Sequence, residues 1–311
     1  MFKKILVTTD RVNFPDETVL TAATIAGQNS ARLYIMHVLE SASMKNRNTV
    51  RHYQSGQEIL NNAAYEKTVK KVILDNYPKL LPENEKCELK IVSGFPYLEI
   101  LRYSRQIKSD LIVMGPHSSK AQEKGVIRVA GKIGSSVEGV IMRERCPVMI
   151  VNHEIPAKRL NFQKILVGID FSESCANALK FGTSLAHASQ SLIIPFHMLP
   201  VPPSPKYRQA DYESDLDTAQ KRLHEFCRDI AADIDYQPTA WGGAFPHMEI
   251  MKCAEKKDVD LIVMGSHTKE NQGKWYTGSA VERVAFRSNC PVVVITDPKA
   301  LQPIEEEFAN V

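Results

Sequence analysis

Phe2-Lys3-Lys4-Ile5-Leu6-Val7-Thr8-Thr9-Asp10 returns later in the chain as Phe162-Gln163-Lys164-Ile165-Leu166-Val167-Gly168-Ile169-Asp170. Two further blocks recur: Leu111-Ile112-Val113-Met114-Gly115 comes back as Leu261-Ile262-Val263-Met264-Gly265. Gly134-Ser135 followed by Cys146-Pro147-Val148 comes back as Gly278-Ser279 followed by Cys290-Pro291-Val292. The order of the blocks is kept, so a whole domain is duplicated. Each copy is about 150 residues, a normal domain size and too large for a solenoid repeat.

Within copy one, short apolar runs at 5–8, 33–39, 88–92, 111–114 and 148–151 read as strands. Helical patterns fall at 17–29, at 49–77 with Ile59, Ala63, Val69, Ile73 and Tyr77 on one face, after Pro96, and at 135–143. Copy two repeats the order, and Leu216, Ala219, Leu223, Phe226 and Ile230 form a clear core-facing stripe. Continuous apolar strands alternating with helices imply α/β domains whose parallel sheets are covered on both faces. The expected division is a first domain at 1–152, a linker at 153–161, a second domain at 162–297 and a polar tail at 298–311. Pro195 falls inside the second strand of copy two, where its missing N–H predicts a bulge.

The net charge of +3 over 311 residues offers no general attraction to nucleic acid or anionic lipid. The six cysteines form no C-x-x-C pair, which points to buried thiols in a reducing compartment rather than to a zinc site. The chain enters a strand at once, with no signal-like segment, and no apolar run approaches the roughly 18 residues a membrane span needs. A cytoplasmic protein is expected.

The loop after the fourth strand carries the chemistry. Ligands of open α/β sheets settle beyond the carboxyl ends of strands where the winding reverses. Gly265 ends such a strand, and Gly278-Ser279 opens the next helix, whose free N–H groups could hold phosphate. Equally, Gly278 could simply turn the chain and Ser279 cap the helix, since both roles use the same residue types.

Both halves resemble the universal stress protein family over nearly all of residues 1–297. Its nucleotide-binding branch carries Gly-x2-Gly-x9-Gly-Ser/Thr after the fourth strand, and copy two reads Gly265, two residues, Thr268, nine residues, Gly278-Ser279. Gly168-Ile169-Asp170-Phe171-Ser172 resembles the family's opening strand. The resemblance implies two flavodoxin-like, adenine nucleotide alpha hydrolase-like domains with strand order 3-2-1-4-5. It implies ATP, with or without Mg2+, as the ligand: Gly168, Asp170 and Met198 around adenosine, Met264 and Gly265 flanking, and Thr268, Gly278, Ser279 and Ala280 at the phosphates. In copy one the matching residues are Thr8, Asp10, Val38, Met114, Gly115, Gly134 and Ser135. The family also pairs domains through the last strand, so the resemblance implies an intramolecular pseudo-dimer, with a homodimer of such tandems left open.

The departures are specific. Thr268 stands where the family has glycine, and a positive φ there would strain it. In copy one Gly134 follows Gly115 by 19 residues, where Gly278 follows Gly265 by 13, and the extra length carries Lys120, Lys124, Arg128 and Lys132. Gly125 and Gly131-Lys132 are separated by five residues instead of four and are followed by Ile133, so they make no P-loop. His117 and His267 recur in the loops and His37 and His197 at strand ends, without a nucleophile, base and orienting group to make a catalytic set. Two readings stand: an ATP-responsive stress protein signalling to an unidentified protein partner, or an interaction module with degenerate pockets. A slow ATPase ranks behind both.

Overall fold

The computed structural model describes the chain except at 44–45, 81–85, 117–132, 232, 267–268, 272–273, 277–278 and 297–311. It divides into two compact units, Met1–Ile155 and Pro156–Val311.

In the first unit β1 (Lys4–Thr8), β2 (Arg32–Ser43), β5 (Cys87–Gly94), β6 (Leu111–Met114) and β7 (Val148–Ile150) form a parallel sheet ordered β5-β2-β1-β6-β7. In the second, β8 (Lys164–Gly168), β9 (Leu192–Pro200), β10 (Thr239–Gly243), β11 (Leu261–Ser266) and β14 (Val292–Thr296) repeat it as β10-β9-β8-β11-β14. Numbered within each copy, both sheets read 3-2-1-4-5. The central strands are solidly apolar because helices cover both faces: Ile5, Leu6, Val7, Leu111, Ile112, Val113, Ile165, Leu166, Val167, Leu261, Ile262 and Val263 have no exposed surface. Each such aliphatic side chain contributes about 1.5–3 kcal/mol by leaving water.

The helices start where a side chain can satisfy the first free N–H groups. Asp16 caps α1 (Glu17–Asn29) by accepting from Thr18 N at 3.0 Å, and Asn62 caps α2 (Ala63–Asn76) by accepting from Tyr65 N at 2.9 Å. Ser172 caps α5 (Glu173–Ser189) by accepting from Cys175 N at 3.3 Å. The remaining helices that frame the sites are α3 (Pro96–Ile107) and α4 (Ser135–Arg143) in the first unit. Their counterparts, with α6 (Gln209–Arg228), are α7 (Pro246–Lys257) and α8 (Ser279–Arg287) in the second.

Two expectations are corrected. The helix expected over 49–77 begins only at Ala63; before it β3 (Asn46–Arg51) and β4 (Glu58–Leu60) form an antiparallel hairpin on the end of β2. Val69, Ile73 and Tyr77 are buried as expected, but Ile59 lies in β4. Gly56, at φ 67°, turns the hairpin, and the Asn62 cap fixes the helix start, so the apolar spacing back to Ile59 is coincidental.

Pro195 makes no bulge: the register from Lys164↔Leu192 to Gly168↔Phe196 runs unbroken through Val167↔Pro195. Two residues earlier, the Ile193 N–H and C=O face Asp235 and Gln237, so the Pro195 nitrogen faces that side as well and is not needed by β8. On that side the bridge Ile193↔Tyr236 and the β9–β10 ladder from Phe196↔Thr239 share one register, and the missing donor falls in the gap between them.

The stretch read as a linker includes a 3-10 turn, Ala157–Asn161, fixed to the second unit. Leu160 is buried, and Arg159 bonds Asp258, lies 3.7 Å from Asp260 and donates to Val259 O at 3.2 Å.

Candidate functional site

β8 and β11 lie side by side, yet the chain leaves β8 toward β9 and leaves β11 toward β14. The carboxyl ends of these two strands are thus the winding switch at which open α/β sheets form their ligand crevice. Met264 pairs with Gly168 across it, Gly168 pairs with Phe196 on the other side, and Met198 follows two residues further along β9, opposite Trp241. Gly265 continues β11, and Asp170 lies just past the end of β8. The structure therefore brings Gly168, Asp170, Met198, Met264 and Gly265 to one end of the sheet. Ser279 and Ala280 are the first residues of α8, reached from β11 through a short antiparallel pair, β12 (Lys269–Asn271) and β13 (Lys274–Tyr276). Thr268, Gly278 and His267 lie outside the described residues.

The two strand-end glycines serve different needs. A Cβ on Gly265 would sit 2.4 Å from the Ser174 carbonyl carbon and 2.7 Å from Cys175 N, so glycine is required for β11 to approach the start of α5. A Cβ on Gly168 would meet only Ile250 Cδ1 at 3.5 Å and Met264 at 3.9 Å, an ordinary contact. Packing leaves Gly168 unexplained, and copy one places Thr8 there.

Asp170 is held by its neighbours. Its Oδ1 accepts from Ser172 N at 3.0 Å and from Cys175 Sγ at 2.9 Å. Burial, and then the bond to Asp170, push the Cys175 thiol up to about 12, so it is protonated and donates. The residue between, Phe171, has φ 64°. Its ring lies 4.5 Å from the His197 ring and 5.6 Å from Phe226, and the Arg222 guanidinium stands 4.0 Å over it. His197 Nδ1 bonds Ile169 O at 2.9 Å; a carbonyl only accepts, so Nδ1 carries the proton. Sequence reasoning gave no role to Phe171, though it stands inside the opening-strand stretch, and passed over Arg222 and Cys175, because their roles arise from a turn conformation.

Copy one gathers its residues by different means. Thr8 pairs with Met36, Met114 with Ile150, and Val38 with Val92. Gly134 N donates to Pro116 O at 2.8 Å, which ties Gly134 and Ser135 to the chain just beyond Gly115. His37 Nδ1 bonds Thr9 O at 2.8 Å, as His197 does in copy two. The connection from strand to helix, however, runs from Thr9 to Asp16 instead of from Ile169 to Ser172. Thr9 Oγ1 donates to the buried Asp16 carboxylate at 2.8 Å, Asp16 N donates to the Tyr77 hydroxyl at 2.8 Å, and Asn76 Nδ2 donates to Val12 O at 2.6 Å. Asp10 lies in this braced loop. His117, Ser118, the basic residues from Lys120 to Lys132 and the Gly125–Gly131 stretch lie outside the described residues.

A cavity of about 440 Å³ opens at the opposite end of the second unit, lined by Arg159, Met248, Met251, Glu255, Arg287 and Cys290 among others. None of the expected site residues lines it. No helix of the described residues is long and apolar enough to cross a membrane.

A model of the universal stress protein family matches residues 1–152 and again residues 161–296. The chain belongs to the universal stress protein family. It is a tandem member, carrying two such domains. A universal stress protein of Synechocystis sp. is 22% identical over 310 residues, 94% of this chain and 99% of that protein. Another, from Methanocaldococcus jannaschii, is 27% identical over 146 residues, 44% of this chain and 84% of that protein. Among solved structures, a universal stress protein from Archaeoglobus fulgidus has a TM-score of 0.63 at 20% identity, covering 94% of this chain and 98% of its own. That likeness establishes the shared fold.

Proposed function

We propose that this tandem universal stress protein binds ATP in its second domain and acts as a nucleotide-responsive signalling protein in the cytoplasm. The observation that carries the reading is Gly168: a strand-end glycine at the crevice whose missing side chain no packing contact demands. A strand-end glycine at a winding switch, here beneath Ile250 and Met264, is what close approach of a nucleotide to the backbone needs. The Gly265, Thr268, Gly278-Ser279 spacing supports it, with the phosphates at the start of α8 and adenosine near Gly168, Asp170 and Met198. Among the described residues no group of three His, Cys, Asp or Glu side chains could hold a metal ion.

For copy one a second reading has its own support. The Thr9–Asp16–Tyr77 bracing makes its loop a fixed surface, which suits an interaction module. Pairing of the two halves as a pseudo-dimer through β7 and β14 belongs to this proposal; halves expressed separately should then co-purify.

The test is calorimetric titration of the stripped full chain with Mg·ATP. We expect one strong site per chain, abolished by Gly278→Val with the fold retained by circular dichroism. Unchanged affinity and stoichiometry in that variant would sink the site assignment. Absence of heat, thermal shift and co-purified nucleotide would leave the interaction module as the better reading for both copies.

A further inference from the structure

We infer that Phe171 is a positioning residue: its left-handed backbone, clamped through its ring, presets the turn that presents Asp170 to the crevice. The inference rests on the nucleotide reading of domain 2 and says why that copy is the competent one. Among the described residues six non-glycine positions have positive φ. Five of them, Ser30, Lys108, Phe162, Gln190 and Asp258, are helix C-caps, where that conformation is ordinary. Phe171 alone stands before a helix, between a strand end and an N-cap. A bulky L residue is disfavoured there, and such outliers persist only where the surroundings over-determine them.

The surroundings do so. Arg222 covers the ring at 4.0 Å, His197 packs on it at 4.5 Å and Phe226 meets it edge-on at 5.6 Å and 85°. His197 in turn bonds Ile169 O. The residues on either side of Asp170 are thus both held: Ile169 by His197, and Phe171 by His197 and α6. Glycine at 171 would make the same short turn without strain but without the clamp. Copy one needs neither, because Arg11, in the corresponding place, is not among the positive-φ residues and its longer loop is braced by Asp16 and Tyr77.

The experiment compares Phe171→Ala, Phe171→Gly and Phe171→Tyr with the unaltered full chain by Mg·ATP titration. Phe171→Ala keeps the strain and loses the clamp, so affinity should fall about tenfold, the equivalent of one strained residue released. Phe171→Gly adopts the turn freely and should stay within about threefold, and Phe171→Tyr within about twofold. A residue that merely packs gives the reverse ranking, since glycine removes more than alanine. That ranking, or an alanine variant binding like the parent, overturns the inference. A second readout needs no nucleotide: iodoacetamide labelling of Cys175, followed by peptide mass spectrometry. Cys175 is buried and bonded to Asp170, so a loosened turn in Phe171→Ala should speed its labelling about tenfold, and Phe171→Gly far less. If the parent takes up no ATP, the nucleotide reading fails and the labelling order decides this one: equal rates in all four proteins overturn it.

Discussion

At the scale of single residues, the crevice of domain 2 depends on telling apart two glycines that look alike in sequence. Gly265 lies against the backbone of Ser174 and Cys175, so Gly265→Ala should destabilise the second domain by about 2 kcal/mol through overpacking. Gly168→Ala meets only ordinary contacts and should stay within about 0.5 kcal/mol for folding while weakening ATP binding. Urea denaturation of both variants checks the first pair of outcomes and titration the last. The repeat and its spacing picked out Gly265, and the family resemblance Gly168, but neither could separate a ligand contact from a helix contact, because both need the same missing Cβ. Phe171 was illegible for a related reason: a sequence carries no mark of the one φ angle, stabilised by Arg222 and His197 from distant elements, that gives it a role.

At the scale of elements, the duplication lets one copy interpret the other. α3 and α7 both end in a left-handed residue without glycine, Lys108 at φ 55° and Asp258 at φ 53°. Lys108→Gly should therefore stabilise the first domain by roughly 0.5–1 kcal/mol, seen as a raised melting temperature. Asp258→Gly should gain little, because Asp258 also bonds Arg159 of the 3-10 turn and that pair is lost. A gain at Asp258 as large as at Lys108 would show the pair to be energetically idle. Strands and most helices were legible because parallel sheets write themselves as unbroken apolar runs. Reading failed where one local signal masked another and where pairing overruled a local rule. The hairpin of β3 and β4 follows from Gly56 and the Asn62 cap, both visible in sequence, yet an apolar period running through Ile59 hid them. Pro195 is tolerated because its nitrogen faces a gap in the pairing on the side away from β8, which no single strand discloses.

At the scale of the whole molecule, acidity should act unequally on the two copies. His247, at the first turn of α7, is 6% exposed; burial, and then Arg283 and Arg287, hold its pKa below the usual 6.5. Well above pH 6.5 it is neutral both folded and unfolded. Below that, the unfolded chain takes up the proton first, so the stability His247 contributes is lost as pH falls from 6.5 through its folded pKa. Copy one has Tyr97 at this place, beneath the Arg143 guanidinium at 5.3 Å. Calorimetric melting at pH 7.5, 6.5 and 5.5 should show a decline in the parent that His247→Tyr flattens; parallel declines would remove His247 as the source. The twin histidines at the strand ends offer something else. His37 and His197 each donate an Nδ1 proton to the carbonyl that opens its copy's strand-to-helix turn. Such ring protons resonate far from the crowded amide region of a magnetic resonance spectrum. The chain thus carries two native beacons, one at the strand-to-helix turn of each copy, and a ligand that engaged one turn would shift its signal and leave the other in place.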